Sequence, residues 1–418
     1  MSPRLRAGLV MFLTFFGWGV FFVPMGSYLA KAFPGDDSVI GLAYGMGPLA
    51  AMISPLLAGW LADRAFSPRK LLAVLGVLSG GVLLLVPYAS SALSFNITLF
   101  IHSLCFFAAL PILNAVVMAS LSDPGREFGA IRLWGTIGWI VSGVVIGSLL
   151  GLGVKLGQVD AETGMRQIHL IWDSAVSTKP VIFQLGGISL ILVGLLSLLL
   201  ADPAPKPASA KLPGGIGLLL SDRKFLIFLV FSVLFCIPLA LYYSYANSFL
   251  KSAGIGQTET FMTAGQVSEV VFLALLPLLA SRFTAKAILL LGMACWALRY
   301  WLFAEFPSSS SALFMAIALH GACYDFFFVT GSLYADRKAP EGMRNMAQSV
   351  VAWATLGLGL FIGNLLSPVL HSRFISKNVA GDMVFSREFW LYPSIFAVVL
   401  FMVFAVVFRD NTRLSDAK

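Results

Sequence analysis

The 418-residue chain is 58% hydrophobic and only 11% charged, with a mean hydropathy of +0.88, whereas soluble domains carry about 25% charged residues. At roughly 20 residues per crossing, twelve apolar helices consume most of such a chain and leave no room for a soluble domain. The net charge of +8 does not imply a nucleic-acid partner, because the basic residues fall in short clusters between apolar runs rather than on one face; the expected surroundings are a lipid bilayer.

Breaks at charge clusters, proline and glycine divide the chain into twelve spans, near 8–30, 39–61, 71–90, 94–119, 130–153, 181–201, 224–249, 259–281, 285–304, 311–334, 346–370 and 388–408. The first follows Arg4 and Arg6 and is too long for a signal-peptide core, so it reads as a retained helix. With a cytoplasmic N-terminus, 18 Lys and Arg fall on the inner side and 8 on the outer, Arg132 and Arg299 lying within spans. The positive-inside bias therefore places both termini in the cytoplasm. Cys105, Cys236, Cys295 and Cys323 have no CxxC or Cys/His spacing, so they read as reduced thiols, and neither a metal nor a cofactor is expected.

Between the second and third spans the chain reads GWLADRAFSPRKLL. Asp63, Arg64 and Arg69 at that edge either pair with a neighbouring helix end in one conformation and release it in another, or simply anchor the helices. In the fifth span, Arg132, Thr136 and Trp139 of RLWGTIGW share one helical face, so a cation, a hydroxyl and an indole line one wall. Arg132 alternatively snorkels to the interface as an anchor. Glycines at four-residue spacing, Gly76 and Gly80, Gly143, Gly147 and Gly151, and Gly359 and Gly363, mark close helix approach, either static or sliding. The connection 154–179 is long enough for a short surface helix, and 202–222, rich in Pro, Ala, Lys and Gly, reads as a linker between 1–201 and 223–418.

In the seventh span, Tyr242 to Asn247 form an aromatic, hydroxyl-rich break after Pro238, in which Tyr243 is the pocket candidate and Tyr245 an interface anchor or pocket residue. The eighth places Gln266 and Glu269 on one face. A Glu amid VVFLALLPLL is either a functional carboxylate or half of a buried ion pair. The tenth, LHGACYDFFFVTGS, brings His320, Tyr324 and Asp325 into one stretch. Removal from water penalises a charged carboxylate, which makes Asp325 and Glu269 the proton-coupling candidates. His320 is equally read as a satisfied structural histidine.

The loop residues Gly59, Leu61, Ala62, Asp63, Arg64, Arg69 and Lys70 resemble the G-x-L-A-D-R-x-G-R-K motif of the major facilitator superfamily. Phe66, Ser67 and Pro68 replace its glycine turn. More narrowly, the chain is similar to the bacterial nucleoside:proton symporters in WG and GSY at 18–19 and 26–28, RLWGTIGW at 132–139, Q-x-S-E at 266–269, LRY around Arg299, DFF and GS at 325–332, and Arg344, Ala347 and Gln348. That resemblance implies that Arg132, Thr136, Gln266 and Glu269 bind the ribose and base, and that Tyr324 and Asp325 complete the cavity. His320 stands where the family has Tyr, and Ala240 and Tyr243 where it has Gln and Asn in the seventh span.

The expectation is thus an all-α integral membrane protein with the major-facilitator fold, its twelve transmembrane helices in two six-helix bundles with the site between them. The expected function is proton-coupled nucleoside uptake by a monomer in the bacterial cytoplasmic (inner) membrane. The substrate set is Arg132, Thr136, Trp139, Tyr243, Gln266, Glu269, His320, Tyr324 and Asp325. The alternative is a proton-coupled sugar or oligosaccharide symporter of the same fold. An enzyme is disfavoured, since no nucleophile–base cluster or HxxxxD occurs at a membrane face.

Overall fold

The computed structural model describes residues 2–36, 38–64, 67–150, 152–159, 166–172, 174–203, 215–340, 343–379, 382–410 and 412, without the side chains of 55–64, 124–126, 152–159, 166–172, 174–175, 215–216 and 345. Its helices are α1 (Pro3–Phe22), α2 (Met25–Ala32), α3 (Val39–Arg64), α4 (Pro68–Leu85), α5 (Ala92–Ala119), α6 (Pro124–Val144), α7 (Val181–Ser197), α8 (Gly215–Ser221), α9 (Arg223–Ser252), α10 (Thr258–Arg282), α11 (Ala285–Glu305), α12 (Ser310–Tyr324), α13 (Thr330–Lys338), α14 (Arg344–Ala352), α15 (Leu360–Phe374) and α16 (Arg387–Val407). Among the described residues, ten helical stretches are long and apolar enough to cross a membrane, and Val39–Ser54 and Val181–Ser197 are shorter apolar helices. Leucines and valines such as Leu78, Leu93, Val271 and Val403 point outward from the bundle, which only a lipid solvent favours along whole helices.

Helix pairing follows one scheme twice along the chain. The first set packs α1 on α6, α3 on α5 and α4 on α7; the second packs α9 on α15, α10 on α12 and α11 on α16. Glycine makes the tightest of these contacts possible. A Cβ on Gly80 would lie 2.4 Å from the Gly187 carbonyl oxygen, and one on Gly363 would lie 2.6 Å from Ala240 Cβ. The Gly76/Gly80 and Gly359/Gly363 runs therefore serve packing within one set.

Three helices carry π-turns, at Val145–Leu149, Asp325–Val329 and Trp353–Gly359. In the second, the Asp325 carbonyl accepts both the Thr330 N–H and its hydroxyl at 3.2 Å. The resulting bulge fits against α11 because residue 292 is glycine; a Cβ there would meet Phe327 N at 2.9 Å. Such turns displace side chains from regular helical phase and recur at functional sites.

The structure corrects two expectations. Among the described residues of 154–179 there is no surface helix: β1 (Leu152–Val159) pairs antiparallel with β2 (Arg166–Trp172), followed by a 3₁₀ turn at Ser174–Thr178. Val154 and Leu156, then Ile168, Leu170 and Trp172, alternate with period two, which suits a strand and not a helix. The first span is two helices broken at Val23 and Pro24, since proline supplies no N–H to continue the ladder.

At the face carrying the chain ends, corresponding latches close each set. Asp202, beyond α7, accepts from Ser67 Oγ at 2.5 Å and the Arg69 N–H at 2.9 Å at the start of α4. Asp410, beyond α16, takes the Lys338 ammonium at 2.6 Å and the Tyr334 hydroxyl at 3.0 Å, while the Thr412 carbonyl accepts from Ala285 N at the start of α11. Burial pushes the Asp410 carboxyl up, but Lys338 and Thr412 outweigh it and pull it down to about 2.

Its contribution is therefore complete above the ordinary carboxylate value and is lost only as pH falls through about 2. Asp410→Asn is expected to destabilise the folded carrier by about 2 kcal/mol across the working pH range, seen as a lower thermal unfolding midpoint in detergent; an unchanged midpoint would count against the latch.

Candidate functional site

The two helix sets meet along α2 with α9, α6 with α10, and α3 with α15. Ser27 donates to Asn247 Oδ1 at 2.7 Å and lies 3.1 Å from Ser248 Oγ; Ser148 bonds Gln257 at 3.0 Å and Thr260 at 2.5 Å. Lys251 donates to Ser177, and Asn364 Nδ2 donates to the Tyr44 carbonyl at 3.3 Å. Among the described residues, these polar bonds between the sets lie in the half of the molecule away from the chain ends. The interior is thus closed at that face. Gly143 and Gly147 permit the closure, since Cβ atoms there would lie 2.6 Å from Thr263 Cγ2 and 2.5 Å from Thr260 N. This glycine run, unlike the other two, sits between the sets; Gly151 lies outside the described residues.

Directly beneath the closure is a cavity whose walls include Phe22, Trp139, Tyr242, Tyr243, Glu259, Met262 and Gln266. Its aromatic rings form a continuous series. Trp139 meets Trp18 edge-on at 5.2 Å and Phe22 at 6.0 Å; Phe22 meets Tyr243 at 5.7 Å, and Tyr243 lies 5.8 Å from Tyr242. Tyr242 stacks with His320 at 5.7 Å, and His320 with Tyr324 at 5.9 Å. Flat apolar faces therefore line the space from α6 and α1 to α9 and α12.

Charged groups sit at the far side of these rings from the closure. Arg132 lies with its guanidinium carbon 4.4 Å from the Phe15 ring centroid and interacts electrostatically with Glu269 and Tyr324 across the interior. No ion pair within 4 Å forms between Arg132 and Glu269 among the described residues. Arg132 lies eight residues into α6, about 12 Å from the helix start. Asp325 is fully buried, both its carboxyl oxygens lack hydrogen-bond partners among the described residues, and Glu269 is its electrostatic neighbour. Thr136 is half-buried one turn beyond Arg132.

Of the three residues expected to gate, Arg69 bonds Asp202 and the Leu200 carbonyl at 3.2 Å, both at the end of the helix set it belongs to. The side chains of Asp63 and Arg64 lie outside the described residues.

Sequence reasoning missed four residues here. Phe22 is indistinguishable in sequence from its apolar neighbours. Tyr242 was legible only as part of the tyrosine run. Glu259, 4% exposed, accepts from Asn247 Nδ2 at 3.1 Å and pairs with Lys251 at 2.9 Å; its place at a helix start disguised it as a loop charge. Arg299, 0% exposed, donates to His320 Nδ1 at 3.1 Å; an arginine inside a span was itself the signal.

A cavity walled by the rings of Phe22, Trp139, Tyr242 and Tyr243, with the Glu259 carboxyl and the Gln266 amide on its lining, has the composition of a small-molecule site, mostly apolar with a few polar groups. Residues 1–413 match the model of the nucleoside H+ symporter family. The chain belongs to that family. It is 32% identical over 423 residues to YegT of Escherichia coli strain K12, a candidate nucleoside transporter, covering 98% of this chain and 95% of that one. Identity to the nucleoside permease NupG of the same organism is 24% over 427 residues, 98% and 96% of the two chains. The crystal structure of nucleoside transporter NupG superposes with a TM-score of 0.82 at 23% identity, covering 98% of this chain and all of that one, and so shares the all-α major-facilitator membrane fold. The protein is a multi-pass membrane transporter of nucleosides and protons, not an enzyme.

The different roles of the glycine runs are separable. Gly147→Ala, which must displace α10, is expected to leave the thermal midpoint nearly unchanged but to expose cysteines introduced near Ser27 to reagent from the closed face. Gly80→Ala, buried within one set, is expected to cost about 1–3 kcal/mol of stability. Equal stability losses without altered labelling would remove the distinction.

Proposed function

We propose that the chain carries nucleosides with protons across the bacterial cytoplasmic membrane as a monomer by alternating access. The twelve spans form two six-helix bundles, 1–201 and 223–418, joined by the linker 202–222, with both termini in the cytoplasm. The repeated helix pairing and the two latches support this division. The closed face is then the outer one, and the interior opens inward.

The observation that carries the coupling scheme is Asp325, buried with oxygens that have no partner among the described residues, with Glu269 as its electrostatic neighbour and Tyr324 of the aromatic series next to it in the chain. A carboxylate without a partner there costs a few kcal/mol, and a proton removes that cost. In the outward-facing state Asp325 or Glu269 takes a proton, and the neutralised site then accepts a nucleoside. Trp139, Tyr243 and Tyr324 stack on the base; Arg132, Thr136, Gln266 and Glu269 bond its hydroxyls and edge. After the bundles rock inward, Arg132 favours the charged carboxylate and the proton leaves. Asp63, Arg64 and Arg69 bind the cytoplasmic edge of the N-terminal bundle during this exchange.

The test is uptake of labelled uridine and adenosine into proteoliposomes with and without an inward proton gradient. Asp325→Asn and Glu269→Gln are each expected to reduce gradient-driven accumulation by about tenfold or more, while at least one retains counterflow, which needs no net proton movement. Full accumulation in both variants refutes the scheme. Flux of ribose or a disaccharide without nucleoside flux refutes the substrate assignment.

A further inference from the structure

Arg299 on α11 is wholly buried, and its guanidinium carbon lies 3.4 Å from the centroid of the Tyr242 ring, with Trp296 and Phe303 rings at 5.7 and 6.0 Å. No carboxylate lies within 4 Å of it among the described residues, and its Nε and Nη2 have no hydrogen-bond partner there. Aromatic faces thus take the place of a counter-ion. Its hydrogen bond runs from Nη1 to His320 Nδ1 at 3.1 Å. Arginine offers only donors and stays charged, so Nδ1 of His320 accepts through its lone pair and the ring hydrogen resides on Nε2. The ring itself is held between Tyr242, 5.7 Å away at 26°, and Tyr324, 5.9 Å away at 29°. Two further bonds fix the scaffold: Trp296 Nε1 to the Cys323 carbonyl at 3.2 Å, and the Tyr300 hydroxyl to the Pro238 carbonyl at 2.7 Å.

We propose that Arg299 is a positioning residue for substrate recognition, fixing His320 as a neutral imidazole whose Nε2–H is offered to an acceptor atom of the nucleoside. This rests on the nucleoside reading above. It also explains how a histidine works within a proton-coupled site. An added proton on Nδ1 would break the Arg299 bond and face a second cation 3.1 Å away, so acidification loads the carboxyls and leaves the donor pattern of His320 intact. The other ionisable groups around the ring are Tyr242 on α9, Tyr324 and Asp325 on its own helix, and Glu269 on α10, which packs on His320 through Gly265.

Imidazole ¹⁵N NMR tests the protonation pattern without requiring transport. Only four histidines are present, and His320→Gln assigns the signal. Full-length protein is expected to show neutral, Nε2-protonated His320 throughout pH 5 to 8, and Arg299→Lys to preserve that pattern. In Arg299→Met, or in Arg299→Gln if the former does not fold, the ring is expected to titrate within this range. Uridine counterflow supplies the functional arm: Arg299→Met is expected to raise KM about tenfold at pH 5.5 and by less than about threefold at pH 8 with little change in maximal rate, and this effect is expected to vanish in a His320→Tyr background. An imidazole spectrum unchanged in Arg299→Met and Arg299→Gln, or equal KM effects of Arg299→Met in both backgrounds, overturns the proposal. Absence of uridine counterflow in the unmodified protein, with the imidazole pattern intact, instead overturns the nucleoside reading.

Discussion

Taking a charge out of water inside an apolar bundle costs several kcal/mol unless something replaces the water, and this constraint organises the interior. Three replacements occur. Arg132 and Glu269 keep partial access to the open interior and interact across it. Arg299 is enclosed by aromatic faces and spends a hydrogen bond on His320. Asp325 has neither access nor a partner among the described residues. The first arrangement is compensated whatever occupies the cavity, and the second is compensated permanently. The third is compensated only by a proton or a rearrangement, which is the ground on which the proposed scheme counts Asp325, with Glu269, among its proton carriers.

Close backbone approach sorts the helix contacts in the same way. Gly80 against Gly187 and Gly363 against Ala240 leave no space for rearrangement, and each joins helices of one set. Gly147 meets Thr260 equally closely, but across the sets, beside hydroxyl and amide bonds that can be exchanged for water. Sequence spacing alone could not separate these, because a glycine every four residues permits close approach without saying which helix approaches. The latches at Asp202 and Asp410 add to the division by tying helix ends within one set at the face that carries the chain ends.

Much of the architecture was legible from the chain because lipid imposes long apolar helices with charged breaks. The site was legible where a residue violates that rule: Arg132, Glu269 and Asp325 stand out against apolar neighbours, and Gln266 and Tyr324 follow from their helical phase. The aromatic wall was less so, since Phe22 and Tyr242 obey the rule they help to exploit. Glu259 was obscured because its burial depends on Asn247 and Lys251, contributed by another helix. The strand pair of Leu152–Val159 with Arg166–Trp172 was misread because a charge-bearing connection was taken for a surface helix, although the period of its apolar residues is two.

Closure and cavity share a residue, and magnitudes show why that matters. Glu259 lines the cavity while receiving Asn247, which in turn receives Ser27 from the opposite set. The remaining bonds across the closure join mostly neutral groups, and at roughly 1 kcal/mol net apiece they hold the face shut by only a few kcal/mol. One proton moving through 100 mV supplies about 2.3 kcal/mol, and a ligand binding one state tenfold better supplies about 1.4 kcal/mol. The closure is therefore weak enough for proton and substrate together to reverse, whereas the glycine-packed interior of each helix set is not. The proposed alternating access draws on this difference: hydrogen bonds between the sets yield before the glycine-tight contacts within them.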